Sequence, residues 1–424
     1  MKALKGQVIF TANNNRFEVF ENSYLVESNG NVEGIYSELP DRLQGIKVFD
    51  FGDLLIIPGF VDLHLHAPQY QNIGLGLDEE LLQWLEKYTF PEEARYNNEE
   101  YAMRLYERLT RELWKNGTTR AVLYSTIHRR GTELLMDILD KSGIGAYVGK
   151  VNMDRNSPKF YLESTSESLA STEEWILDTK DKYKLVKPII TPRFVPSCTE
   201  ELMKGLAELS KKYDIKIQSH LSESESEVEW VKVLHPQYDS YTEVYDAMGL
   251  LTEHTIMAHT VHSTPKEIML MAERNGFSAH CPNANYNLKS GIMSVRKFLD
   301  ANIKVGLGTD IGAGHQIGIY KVIAQAVQAS KMNWYYNGKK DKCLTLSEAF
   351  YMGTKGGGEF FGKVGSFEEG YSFDALVIDD ETLGESASRS IEERLQRFIY
   401  CGDDRNIVKR YVRGKLLPEP KFKH

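Results

Sequence analysis

The pattern of apolar and polar positions changes character twice along the chain. From Gly6 to Pro58 it alternates in short runs broken by turn residues: Gln7 to Thr11, Ser23 to Ser28 before Asn29-Gly30, Gly34 to Tyr36, and Lys47 to Phe51. A period of two is strand patterning. It returns after Val364, where Tyr371 to Asp379 (YSFDALVID) reads as a strand and Ile407 to Arg413 with Gly414-Lys415 as a strand and turn. Strands at both ends of one chain predict a small β-sandwich domain assembled from residues 1–58 and 363–424. Between them, over residues 59–362, short apolar runs alternate with helical stretches such as Asn98 to Asn116 and Thr199 to Tyr213. Candidate strands end at Leu65-His66, Leu123-Tyr124, Val151-Asn152, Pro192-Arg193, Gln218-His220, Ala258-His259, Ala279-His280 and Thr309-Asp310. Strand and helix alternating eight times predict an α/β chain with a (β/α)8 TIM-type barrel. A doubly wound open sheet is the alternative, but no Gly-rich phosphate loop follows the first of these strands.

Ionisable residues stand at the carboxyl ends of the predicted strands, where barrels build their sites. In Pro58-Gly-Phe-Val-Asp-Leu-His-Leu-His66, alternation puts Asp62, His64 and His66 on one face and Val61, Leu63 and Leu65 on the other. The apolar face is expected against helices and the histidine face inward. Two imidazoles two residues apart can reach one cation; a bare HxH is more often a polar pair on an edge strand, but the apolar flanks here fit a buried one. In Ile215-Lys-Ile-Gln-Ser-His-Leu-Ser-Glu223, His220 ends a strand and Glu223 follows in the loop, a carboxylate placed to act as general base beside a ligand histidine. The run Glu223 to Glu227 also reads as a solvated helix start, which suits Glu225 and Glu227 better than Glu223. Thr255 to His259 is apolar until its last residue, so His259 alone would pass for a core histidine. In Ile303-Lys-Val-Gly-Leu-Gly-Thr-Asp310, Gly306 and Gly308 leave room in the interior and Asp310 is an inward carboxylate, or otherwise a cap for the turn near Gly312.

Together His64, His66, His220 and Asp310 supply three nitrogens and one oxygen, a donor set that suits one Zn²⁺ per subunit and also accepts Fe²⁺. Glu223 and His259 are placed beside the attacking water, with Asp310 doubling as ligand and proton acceptor. Leu82 and Trp84, in the first loop, are placed as pocket lining.

Composition narrows the partners. Lys+Arg number 51 and Asp+Glu 60, a formal charge of −9 without a basic block, which argues against nucleic acid and anionic membranes. No apolar run approaches the roughly 18 residues of a membrane span. Four dispersed cysteines without a CxxC predict reduced thiols and a cytoplasmic location. The N-terminal apolar stretch is too short for a secretory signal.

The motifs PGFVDLHLH, SHLSE, MAH, HCPNANYNL, GLGTD and GSFEEGYSFDALVID resemble the amidohydrolase superfamily, in particular its mononuclear aminohydrolase branch, over essentially the whole chain. The resemblance implies a metal-dependent hydrolase barrel flanked by a β-sandwich, and a homodimer. Binuclear members carry a carboxylated lysine at the end of the fourth strand; Pro192-Arg193-Phe194 offers none, Lys187 precedes it and Lys150 belongs to strand three, so one metal is expected. Within the branch, HAPQY after His66, Gly149 to Asp154, Thr191 to Phe194 and His280 to Asn283 are similar to the members that convert guanine to xanthine. That implies Gln69 and Arg193 as hydrogen-bond partners of a small-molecule purine and Phe194 as a packing face, with Glu223 as proton shuttle. A sister aminohydrolase or chlorohydrolase acting on a triazine or adenosine derivative is the alternative, and a non-catalytic relative is disfavoured because every proposed ligand is present. The zinc site of the other deaminase architecture, HxE with PCxxC, is absent.

Overall fold

The computed structural model describes residues 1–384 and 388–422; of the C-terminal segment named above, 385–387 and 423–424 lie outside it. Four strands open the chain: β1 (Lys2–Asn13), β2 (Arg16–Ser28), β3 (Asn31–Tyr36) and β4 (Lys47–Pro58). Three more close it: β15 (Ala375–Ile378), β16 (Ile407–Val412) and β17 (Lys415–Leu416). They form one hydrogen-bonded sheet in the order β17-β16-β15-β4-β1-β2-β3, so both chain ends meet in it. Strand alternation divides its side chains. Ile56, Ala375 and Val377 join Leu4, Val8, Phe10 and Phe373 in a core of the sheet's own. Their neighbours Leu55, Ile57, Leu376 and Ile378 join the main core shared with the helices. The observed β1 and β2 are longer than the sequence runs suggest, and the YSFDALVID strand is shorter.

Between these ends lie β5 (Phe60–His66), β6 (Thr118–Tyr124), β7 (Gly145–Gly149) with its continuation β8 (Val151–Asn152), and β9 (Val186–Pro188) with β10 (Thr191–Pro192). Then follow β11 (Ile217–Leu221), β12 (Thr255–His259), β13 (Phe277–His280) and β14 (Lys304–Leu307). They pair as two parallel ladders, β5-β6-β7-β9 and β11-β12-β13-β14. A parallel bridge from Ile190 to Ile217 joins the ladders on one side. On the other, the Asp310 amide donates to the His64 carbonyl at 2.8 Å, closing the ring. The helices Glu99–Lys115 and Glu200–Tyr213 start where expected, because Asn98 and Thr199 cap them through the amides of Tyr101 and Leu202.

The barrel interior is filled by Val61, Leu63, Val122, Ile189, Ile256, Ala258, Phe277 and Ala279, with Phe360 and Val364 packed in the same cluster. This corrects the face assignment of β5. Val61 and Leu63 point into the barrel, whereas Leu65 packs in the main core outside it. The cause is an irregularity in the β5–β6 pairing between Asp62 and Leu65, which shifts the alternation by one residue and brings His64 and His66 inward above the apolar layer. Gly306 and Gly308 leave interior space as expected: a Cβ at Gly306 would lie 2.4 Å from Leu63 Cδ1, and one at Gly308 2.8 Å from His64 Cβ. No helix among the described residues is long and apolar enough to cross a membrane.

Candidate active site

Four strand ends deliver the site. His64 and His66 come from β5, His220 from β11 and His259 from β12, while Asp310 lies three residues past β14 rather than at its last residue. Simple alternation would not aim all of them at one point. His259 takes a φ of 73° and Asp310 one of 49°, the left-handed region that costs a non-glycine residue energy. Such strain persists where the surrounding structure enforces it, and it concentrates at functional sites. After the inward Ala258, the turn at His259 aims its ring inward instead of toward the helices.

The donor atoms converge. His64 Nε2 lies 3.2 Å and His66 Nε2 3.4 Å from Asp310 Oδ1. His66 Nε2 and His220 Nε2 are 3.1 Å apart. His259 Nε2 lies 3.4 Å from Glu223 Oε2 and 3.8 Å from Asp310 Oδ2. All six side chains are buried. Burial pushes His64, His66 and His220 well below the ordinary histidine range, so their rings are neutral and carry a lone pair each. Tautomers follow from the outer contacts. His220 Nδ1 lies 2.6 Å from the Arg193 carbonyl and His259 Nδ1 2.9 Å from Asn285 Oδ1. Both Nδ1 atoms therefore donate, and both Nε2 atoms face the common centre. His64 Nε2, His259 Nε2 and Glu223 Oε1 have no hydrogen-bond partner although buried. Convergent neutral imidazole lone pairs beside a carboxylate are what a divalent cation requires, so the donor set fits one.

The carboxyls respond to the same burial. Glu223 is raised well above the usual range by desolvation and by the charges of Asp310 and Glu227. Asp310 is pushed up to about 6, with His259 and Arg193 opposing the rise. Asp62 sits on the far side of the β5 irregularity and accepts from the Thr309 amide at 3.0 Å, the His64 amide at 3.2 Å and the Thr309 hydroxyl. It ties β5 to the chain that carries Asp310.

Above the donor cluster opens a pocket lined by Gln69, Trp84, Arg193 and Phe194 together with His66, His220, Glu223, His259 and Asp310. Leu81, Leu85, Leu288 and Ala313 complete its wall, so the loop's contribution is Trp84 with Leu81 and Leu85, and Leu82 packs behind it instead. Trp84 is fixed by its Nε1, which donates to the Leu75 carbonyl at 2.9 Å. Phe194 packs edge-on against Trp230, with centroids 6.4 Å apart. Glu227 departs from the solvated-helix reading. It is fully buried, and its carboxylate accepts from the amides of Glu223 and Ser224 and from Tyr241 Oη, thereby holding the loop that carries Glu223. Lys150 is buried in an ion pair with Glu163 at 2.7 Å, and Lys187 donates to the Lys180 carbonyl, so neither joins the donor cluster.

One residue behind this wall has no counterpart in the sequence reading. Glu93 is fully buried and receives hydrogen bonds from Gln69 Nε2 at 2.7 Å, from Arg193 Nη1 and Nη2 at 2.7 and 3.1 Å, and from Tyr161 Oη at 2.9 Å. Tyr124 also went unremarked beyond its place at a strand end; its ring packs against His64 and His66 at centroid distances of 5.1 and 4.6 Å.

Comparison with known proteins supplies the family. The model of the Amidohydrolase family matches residues 55–417. A guanine deaminase of Dictyostelium discoideum is 41% identical over 98% of this chain and 98% of its own length. One of Homo sapiens is 44% identical over 85% of this chain and 82% of its own. Among solved structures, the guanine deaminase from C. acetobutylicum with bound guanine in the active site aligns with a TM-score of 0.97 at 54% identity, covering 98% of this chain and 99% of that one. The chain belongs to the amidohydrolase family, among relatives that are guanine deaminases.

Proposed function

We propose that this enzyme hydrolyses guanine to xanthine and ammonia. The observation that carries the reading is the stacking of two halves in one pocket: a floor of convergent imidazole and carboxylate donors, and a wall that offers Gln69, Arg193 and Phe194 to a planar base. His64, His66, His220 and Asp310 would hold one divalent cation per subunit, zinc in preference to iron for a set of three nitrogens and one oxygen. When bound, it supplies Lewis acidity that brings the pKa of a water toward about 7.

The residues of the chain do the rest. Glu223 takes a proton from the attacking water and returns it to the ring nitrogen beside the carbon that bears the amine. Burial and the neighbouring charges of Asp310 and Glu227 raise the Glu223 carboxyl above the ordinary carboxylate range, which strengthens it as a proton acceptor. His259, fixed by Asn285, and Asp310 orient the water toward that carbon. Water adds there; Asp310 then takes the second proton, from the added hydroxyl, and passes it to the amine as the C–N bond breaks, leaving a ring carbonyl and free ammonia. Arg193 and Gln69 bind the base edge that does not react, while Phe194 and Trp84 cover its apolar faces and exclude water.

The same reading divides the chain into a catalytic barrel, 59–362, and a β domain from 1–58 and 363–424. It places the enzyme in the cytosol, which four free cysteines support, and as a homodimer, which rests on resemblance alone.

Ammonia release from guanine, measured on the purified protein before and after chelation, tests the reading. Release that is lost on chelation and restored by zinc is expected. No release from guanine, with release from adenosine or an aminotriazine instead, would overturn it.

A further inference from the structure

Gln69 and Arg193 both line the pocket, and neither is free to choose which atoms it shows there. A carboxylate gripped by a guanidinium offers acceptor atoms only. Gln69 therefore turns its amide nitrogen to Glu93 Oε1, at 2.7 Å, and its carbonyl Oε1 is left buried without a partner. The opposite amide orientation would set two acceptors against each other. Glu93 also takes one N–H from each Nη of Arg193, so the remaining N–H groups point along a fixed plane. The guanidinium lies over the Phe90 ring, 5.2 Å from its centroid, which fixes that plane from behind. Tyr161 donates its only proton to Glu93 Oε2, and Thr126 Oγ1 stands 3.0 Å from the same hydroxyl. Gly312, at a φ of 121°, makes room for the arrangement: a Cβ there would lie 2.1 Å from Gln69 Oε1.

The wall thus shows donors from Arg193 next to an acceptor from Gln69. We infer that Glu93 is a specificity-determining positioning residue, which fixes this donor–acceptor polarity so that the pocket takes a base edge made of a carbonyl and an adjoining ring N–H and rejects the amidine edge of an aminopurine. An amidine edge reverses both groups, presenting an amine where guanine has its carbonyl acceptor. In the pocket it would leave the Arg193 donors and the Gln69 acceptor unpaired, the most discriminating kind of mismatch a buried site can impose. Glu93 lies behind the two side chains that meet the base, so its effect is on selection rather than on the bond that breaks. The inference rests on the proposed deamination of guanine.

The test compares guanine with 2,6-diaminopurine, which carries the same leaving amine but an amine in place of the carbonyl. Wild-type enzyme is expected to favour guanine in kcat/KM by on the order of 100-fold or more. In Glu93→Gln an amide donor replaces one carboxylate oxygen, and Gln69 can turn over. The ratio is then expected to fall roughly tenfold or more, chiefly through a higher KM for guanine, with metal content unchanged. Tyr161→Phe removes one donor to Glu93 but none of its acceptors, and should leave the ratio within about twofold. A ratio unmoved by Glu93→Gln, in an enzyme that deaminates guanine, overturns the inference and leaves the reaction standing. Should that variant not fold, equal use of the two bases by the wild type overturns it by itself. Failure of the wild type to act on guanine would instead overturn the proposed reaction.

Discussion

Replacing Glu223 by Gln is expected to lower kcat on the order of 1,000-fold, while the purified protein keeps its metal. The substitution preserves the shape of the side chain and removes its capacity to take and return a proton. Glu223 Oε2 lies 3.4 Å from His259 Nε2, and Oε1 has no partner, so one oxygen faces the site with nothing else to serve. The residue lies just past β11, and its backbone is held independently by Glu227, whose carboxylate accepts the Glu223 amide at 2.8 Å. The loop should therefore stay in place in the variant. Metal content per subunit and ammonia release, measured on the same preparation, separate proton transfer from metal loss. Turnover near wild type would remove Glu223 from its assigned role.

Replacing Asp310 by Asn should be at least as damaging, and in a different way. Asp310 Oδ1 meets His64 and His66, and Oδ2 faces His259. It is the only carboxylate in the proposed ligand set, so an amide there removes the anionic donor that neutralises the cation. The variant should lose metal during purification and show turnover reduced on the order of 1,000-fold or more, with partial recovery in excess zinc. Its backbone should survive, because the Asp310 amide and carbonyl engage His64 and Gly314 rather than the side chain. Full metal content with normal turnover would exclude Asp310 from the donor set.

Much of this site could be read from the chain because its chemistry sits at the ends of apolar strands. His64 and His66, His220, and Asp310 with its two glycines each follow a short run whose alternation places them at a barrel mouth. What escaped the sequence did so for physical reasons. The shifted pairing between Asp62 and Leu65 leaves no residue signature, so strict alternation sent Val61 and Leu63 to the wrong face of β5. The inward turn of His259 depends on a left-handed backbone that no composition signals. Glu227 has the spacing of a capping box and serves as one; its other carboxylate oxygen accepts from Tyr241, on a later helix. Glu93 was hidden most completely. Pro91-Glu92-Glu93 reads as the acidic first turn of an exposed helix, and the partners that explain Glu93, namely Gln69, Tyr161 and Arg193, lie 24, 68 and 100 positions away. Ladder and helix periods report local neighbours, and this hub has none.

The central claim, that four side chains separated by up to most of the barrel's length grip one ion, is tested most directly by anomalous diffraction from crystals of the zinc-loaded enzyme. One strong peak is expected, at about 2.0–2.2 Å from a nitrogen each of His64, His66 and His220 and from an Asp310 oxygen. A peak held by other residues, or none in protein that still releases ammonia from guanine, would contradict it.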